Sequence, residues 1–270
     1  SSDDLAELRD LVSLAANDEL IGRYREAVAA KKRDGSIITE ADLAMQRRLQ
    51  AELAERWPAF LLLGEEMPEA EQQALLTSQD GGLWCLDPLD GTSNFAAGIP
   101  FFAVSLALLG RGGVQAAVVL DPVRGECFSA LAGQGAWLNT APLRAPDAPA
   151  ALTDAMAMVD LKRLPAPMIR ALAASAPSRS QRSFGSVALD WCWIACGRCQ
   201  VYLHGGQKLW DYAAGSLILA ESGGAGGLVA ALDGDWIDEL TLSPRIAIAA
   251  THDDLLVQWR AWIAGAKVGD

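Results

Sequence analysis

Leu5, Leu8, Leu11, Val12, Leu14 and Ala15 recur at helical spacing, which predicts one amphipathic helix over residues 3–32. Lys31, Lys32 and Arg33 close that stretch, and cations suit a helix C-terminus. Thr39 is a good N-cap with Asp42 three residues on, so a second helix is predicted from there to about Arg56. Leu43, Met45, Leu49 and Leu53 mark its buried side. Short apolar runs at 60–63 and 83–86 predict strands, with an exposed acidic helix over 68–76 between them. Residues 101–109, 114–120 and 126–132 read as a meander. Gly110, Gly112 and Gly113 mark its first turn and Asp121-Pro122 its second. Trp137-Leu138-Asn139 then leads to a turn at Pro142.

The second half predicts a strand at 155–159, a helix at 166–175 and an apolar helix opened by Ser186 and ending near 195–197. A strand at 200–203 is followed by a turn at Gly205-Gly206. Asp211 opens a helix through Glu221, and the glycines from Gly223 to Gly227 read as a turn. A core strand at 245–250 and an amphipathic helix at 253–263 close the chain. With no internal repeat or linker, the expectation is one mixed α/β domain over 1–270, with lobes at about 1–140 and 141–270.

Half of the chain is apolar (51%), enough for a sizeable core. With a net charge of −12 and no Lys/Arg run that offers a phosphate-tracking face, the chain is a poor candidate for a general nucleic-acid binder. For phosphate chemistry so acidic a chain needs metal ions to reverse the local field. Residues 1–20 hold no continuous apolar core, so no signal peptide is expected. The longest apolar run, 101–109, is interrupted by Ser105 and falls far short of the ~20 residues that span a bilayer. A soluble cytoplasmic protein with no membrane partner is expected. The five cysteines show no disulfide-scaffold spacing. Cys192, Cys196 and Cys199 have a spacing some iron–sulfur enzymes use, but they fall on one face of an apolar helix and read as core.

No Gly-x-x-x-x-Gly-Lys-Ser/Thr loop, Gly-x-Ser-x-Gly elbow or His-Glu-x-x-His is present. His204 and His252 are the only histidines. The acids are more informative. Glu65 follows one apolar strand, Asp87 and Asp90 follow another, and Asp211 opens a helix. Such an oxygen-only set suits Mg2+ rather than zinc. Taken singly, each acid is more often a cap or a solvated turn. Pro88 removes a ladder donor and is expected to stop the strand there. Gly91 permits a tight turn, and Thr92 or Ser93 can cap a helix beyond it.

The stretch from Asp87 to Phe95 resembles the first signature of the inositol monophosphatase family, and Trp210 to Gly215 resembles its second. Gly64-Glu65-Glu66, the segment from Lys32 to Asp42, and Gly185-Ser186-Val187-Ala188 resemble further family segments in the same order. The resemblance implies a layered αβαβα sugar-phosphatase fold and a homodimer. It also implies lithium-sensitive hydrolysis of a phosphate monoester by direct attack of water, with two or three Mg2+ ions per site. Glu65, Asp87 and the Leu89 carbonyl would hold one metal, and Asp87, Asp90 and Asp211 a second. Thr92, backed by Asp42, would orient the water together with Glu65. Backbone N–H groups of Gly91 and Thr92 would hold the phosphate. Asp90, Gly185, Ser186, Val187, His204 and Asp211 would contact the rest of the substrate. Asp34 and Thr39 match a region that in some relatives supports a further metal or the water.

At one point the chain departs from this pattern. Inositol-phosphate enzymes of the family place a glutamate seven residues before the aspartate of the second signature, and here that residue is His204. It either reads hydroxyls differently or lies outside the pocket as a loop residue. Arg179 and Arg182 could meet a second phosphate or solvate the surface. The expected substrate is therefore a small phosphorylated metabolite, an inositol or sugar phosphate. A 3′(2′),5′-bisphosphate nucleotidase and a regulatory binding protein reusing the fold are the alternatives.

Overall fold

The computed structural model describes residues 1–24, 30–31, 37–78, 81–146, 149 and 151–266, with 30, 31 and 37 described by backbone alone. Helix α1 (Ser2–Glu19) leads through a 3-10 turn (Ile21–Arg23) to the antiparallel pair β1 (Ala30–Lys31) and β2 (Ile37–Ile38), then α2 (Glu40–Arg56). Next come β3 (Leu61–Gly64), α3 (Glu69–Thr77), β4 (Leu83–Asp90) and α4 (Thr92–Ala97). A meander comes after them: β5 (Ala103–Gly110), β6 (Gly113–Asp121), β7 (Glu126–Leu131), β8 (Gly135–Leu138) and β9 (Ala141–Leu143). These strands form one sheet in sequence order from β3 to β9, with only the β3–β4 pair parallel.

The second half contains β10 (Met156–Asp160), α5 (Ala166–Ser175), β11 (Ser180–Arg182), α6 (Val187–Ala195), β12 (Val201–Gln207) and α7 (Leu209–Glu221). It ends with β13 (Ala225–Val229), β14 (Arg245–Ala250) and α8 (Asp253–Ala266). Its sheet runs β11-β10-β12-β14-β13.

The period-two alternation of β4 sets the layering. Trp84 and Leu86 pack under Leu8, Val12, Met45 and Leu49 of α1 and α2. Leu83 and Cys85 face the opposite way, toward Leu189 and Trp191 of α6 and Ala213 and Ile218 of α7. Those two helices also cover Met158, Tyr202 and Ala249 of the second sheet. Its far face buries Val159, Leu203 and Ile248 against Met168 and Leu172 of α5 and Trp259 of α8. The result is the expected αβαβα stack.

Several local expectations change. Helix α1 stops at Glu19, and the chain turns through the exposed Ile21-Gly22, where glycine is a poor helix former. Lys32, Arg33 and Asp34 lie outside the described residues. Leu14 is 54% exposed, and Leu43 is only half-buried, with Ala41 and Ala44 facing the core beside Met45. Pro88 does not end its strand: β4 continues to Asp90 through a bulge. Pro142 lies in the edge strand β9, where a missing donor is tolerated, and the turn falls at Asn139, whose φ is 55°. Gly205 and Gly206 belong to an irregular stretch of β12 rather than a turn. Gly226 and Gly227 pair with β14 as part of β13. Cys192 and Cys199 pack in the core, and burial pushes both thiols up, Cys199 to about 12. Among the described residues no helix is long and apolar enough to cross a membrane.

Candidate active site

The parallel register Gly64↔Leu86 puts Glu65 beside Asp87 at the carboxyl ends of two neighbouring strands. The β4–β5 ladder pairs Asp87 with Ser105 and Asp90 with Ala103, so three steps on β4 oppose two on β5. That extra residue lets the chain turn both acids toward one cleft. Asp87 Oδ1 accepts from the Leu89 N–H at 3.0 Å, closing a turn over Pro88. Ser105 Oγ donates to Trp210 O at 3.1 Å, which ties the first turn of α7 to β5 next to Asp87. Asp211, in that first turn, accepts from Lys208 N at 2.7 Å. Gly91 bends the chain with φ at 89°. A Cβ there would stand 3.1 Å from Phe101 O and 3.2 Å from Gly185 O, so only glycine fits without displacing backbone.

Glu65, Asp87, Leu89, Asp90, Gly91, Thr92, Gly185, Val187, His204 and Asp211 all line a single cleft of about 340 Å3. Two expected residues stand behind its wall. Asp42 is buried and its Oδ1 accepts from Thr92 Oγ1 at 2.9 Å. Its Oδ2 accepts from the Thr39 N–H (2.7 Å) and Thr39 Oγ1 (2.6 Å), so one carboxylate caps α2 and fixes Thr92. Thr92 Oγ1 also lies 2.9 Å from Leu89 O. Ser186, fully buried, donates to Asp90 Oδ2 at 2.6 Å, and the Ala188 N–H donates to the same oxygen at 2.7 Å.

Burial, then the charges of Glu65, Asp90 and Asp211, hold the Asp87 carboxyl well above the usual range. Burial likewise raises Asp211, with Asp90 and Glu65 adding to it. Asp90 is pushed up to about 6 by burial, against the hydrogen bonds from Ser186 and Ala188. Carboxylates that repel one another in a shared buried cleft fit a hard divalent cation, which would offset their charge. Among the described residues no three His, Cys, Asp or Glu side chains gather closely enough to hold a metal on their own. Mg2+ commonly takes one or two carboxylates and completes its shell with water and substrate phosphate oxygens.

His204 is no peripheral loop residue: it lies in β12, 4% exposed, and lines the cleft. Its Nδ1 accepts from the Gly206 N–H at 3.2 Å, which leaves the proton on Nε2, 3.4 Å from Asp160 Oδ2. Arg179 and Arg182 do not line the cleft, and Arg182 donates to Ser180 Oγ and Gln181 O instead. Sequence reasoning missed Asp160, Lys162, Arg163 and Asp190, which also line it. The signal for the first three was an acid and two cations directly after a strand.

Asp190 ends a buried chain of hydrogen bonds. Trp191 Nε1 donates to Gln207 Oε1 (2.9 Å), Gln207 Nε2 donates to Tyr202 Oη (2.7 Å), and Tyr202 bonds Asp190. Asp190 Oδ1 has no hydrogen-bond partner among the described residues. Burial, with the nearby Asp90 and Asp160, raises its carboxyl well above the ordinary value. The cost of ionising it in the fold therefore appears as pH rises above about 4. Asp190→Asn is expected to raise the Tm at pH 7 by several degrees, at about 1–3 kcal/mol for the relieved group and roughly 2–4 °C per kcal/mol. The gain is expected to shrink toward pH 4, and thermal unfolding at both pH values checks it; a lower Tm at pH 7 would show the carboxylate to be stabilising.

Comparison with known proteins gives the chain's relatives. The model of the "Inositol monophosphatase family" matches residues 5–262. The chain is similar to the Nus factor SuhB of Pasteurella multocida, 34% identical over 198 residues, or 72% of each protein. It is 33% identical to the inositol-1-monophosphatase of Rhizobium meliloti over 209 residues, 75% of this chain and 76% of that one. Among solved structures, an IMPase/NADP phosphatase complexed with Mg2+ and phosphate superposes with a TM-score of 0.76 at 25% identity, covering 94% of this chain and 91% of that one.

Proposed function

Because the chain belongs to the inositol monophosphatase family, we propose that it is a Mg2+-dependent phosphomonoesterase that releases phosphate from a small phosphorylated metabolite by attack of water. The observation that carries this reading is the 2.9 Å Asp42–Thr92 bond, set on the same cleft as Glu65, Asp87, Asp90 and Asp211. A pure binding site has no need of a hydroxyl backed by a buried carboxylate.

In this reading Glu65, Asp87, the Leu89 carbonyl, Asp90 and Asp211, which line the cleft, would hold the cations. Bound Mg2+ supplies a water of lowered pKa and offsets charge on the leaving oxygen. Thr92 positions the water together with Glu65, and Asp42 makes the threonine hydroxyl a better acceptor for the water's proton. The Gly91 and Thr92 N–H groups hold the phosphate, while Gly185, Val187 and His204 flank the alcohol part. Ser186 acts on substrate only through Asp90.

The test is phosphate release with and without Mg2+ from inositol 1-phosphate, glycerol 2-phosphate, fructose 1,6-bisphosphate and adenosine 3′,5′-bisphosphate. Mg2+-stimulated release from at least one is expected, and release from none across the panel overturns the reading. The similarity to proteins named Nus factor SuhB favours one second reading, a regulatory binding protein on the same fold. That reading predicts that a turnover-dead variant keeps its biological role.

A further inference from the structure

The loop after β10 is seated by three contacts. Asp160 Oδ1 accepts from the Lys162 N–H at 2.7 Å, fixing the first step of the turn. A Cβ on Gly205 would stand 2.1 Å from Arg163 O and 2.8 Å from Leu164 N, so glycine at 205 lets the loop lie against β12. The Arg163 stem also rests near Gly206, where a Cβ would come 3.4 Å from Arg163 Cδ. The two glycines of the irregular β12 stretch therefore hold Lys162 and Arg163 at the mouth of the cleft, which both residues line.

These two side chains are exposed and make no ion pair or hydrogen bond among the described residues. The positive charge of Arg163 acts on Asp160 and on Asp211, which both line the cleft. His204 lines the same cleft; its Nδ1 accepts from the Gly206 N–H and its Nε2 lies 3.4 Å from Asp160 Oδ2, so this carboxylate competes with a ligand for the ring's other nitrogen. Beside the acids Asp160 and Asp190, which are held close to the wall, the exposed charged side chains of this part of the cleft are the two cations. A guanidinium and an ammonium side by side suit a carboxylate or a phosphate.

We propose that Lys162 and Arg163 bind a second anionic group, carboxylate or phosphate, on the alcohol part of the substrate. The proposal rests on the phosphomonoesterase reading and narrows it to phosphate esters that carry another acidic group.

The test compares three esters with Mg2+: glycerol 2-phosphate, with a neutral alcohol part; 2-phosphoglycerate, with a carboxylate; and fructose 1,6-bisphosphate, with a second phosphate. The intact chain is expected to prefer at least one acidic ester over glycerol 2-phosphate by about tenfold or more in kcat/KM, chiefly through KM. The Lys162→Gln/Arg163→Gln double variant is expected to bring that ratio close to one. Whichever acidic ester shows the preference identifies the group. No preference in the intact chain, or a preference that survives in the double variant, overturns the proposal and leaves the two cations as mere offsets to the cleft acids. Calorimetric titration of the same esters into a Thr92→Ala chain with Mg2+ gives the ratio as dissociation constants. If none of these esters and none of the panel above is turned over, the phosphatase reading falls while this binding ratio still decides the proposal.

Discussion

Asp90→Asn is expected to lower kcat/KM for Mg2+-dependent phosphate release by about 10^3-fold or more, the scale of losing a group that offsets charge in the transition state. The size of the loss comes from the polarity of its surroundings. Asp90 Oδ2 is bonded by Ser186 Oγ and by the Ala188 N–H, and the latter can only donate. An asparagine must therefore keep its carbonyl oxygen on that side. Its NH2 then points to the cleft and presents hydrogens where a cation needs a lone pair. One negative charge is lost and the remaining donor is inverted in the same step. The fold has no reason to suffer, because the wild-type carboxyl is already held up at about 6 by burial. The metal-free variant is expected to unfold at the same temperature as the wild type or higher. Phosphate release and Tm measured on one preparation separate the two effects: activity above a tenth of wild type removes Asp90 from the cation site, and a large fall in Tm would attribute the loss to unfolding.

The parts of this site that are legible in the sequence are those fixed by local chemistry. Asp87, Gly91 and Thr92 announce themselves through a proline, a glycine and a hydroxyl within a few residues of an apolar run. Glu65 and Asp211 stand at the edges of apolar segments, so their positions at element ends can be read without knowing which ends meet. The mixed α/β content is legible in the alternation of short apolar runs with helical spacing, while the layered arrangement is implied by the family resemblance and not by the spacing. The features that stay hidden depend on packing. Asp190 lies inside an apolar helix, and only the fold shows that Tyr202 and Gln207 fix it at the cleft. Lys162 and Arg163 look like any solvated loop until Gly205 is seen to seat them. The continuation of β4 past Pro88 is hidden because a bulge absorbs the missing donor. Strand β13 is hidden because Gly226 and Gly227 have no side chains to show alternation, and it is the register with β14 that makes them a strand.

Removing divalent cations is expected to abolish phosphate release and to change stability in a pH-dependent direction. Asp87, Asp90 and Asp211 all have folded values above the ordinary carboxylate value of 3.8, first through burial and then through neighbouring acids, Glu65 and Asp90 for Asp87, and Asp90 and Glu65 for Asp211. A carboxyl raised on folding binds its proton more tightly in the native state. Its contribution therefore favours folding less and less as pH rises above about 4, and the full penalty is present once pH exceeds the folded value. For Asp90 alone, a rise to about 6 corresponds to roughly 3 kcal/mol. The metal-free chain is thus expected to lose Tm between pH 5 and pH 8. Mg2+ requires the ionised form and binds only the folded site, so its stabilisation grows over the same interval as the protons leave. The Tm increase caused by a fixed excess of Mg2+ over EDTA-treated protein is expected to be several degrees larger at pH 8 than at pH 5. Asp90→Asn should reduce that increment at pH 8. A Mg2+ increment that is flat with pH, or that falls as pH rises, would show that the cation is held elsewhere than by these buried carboxylates.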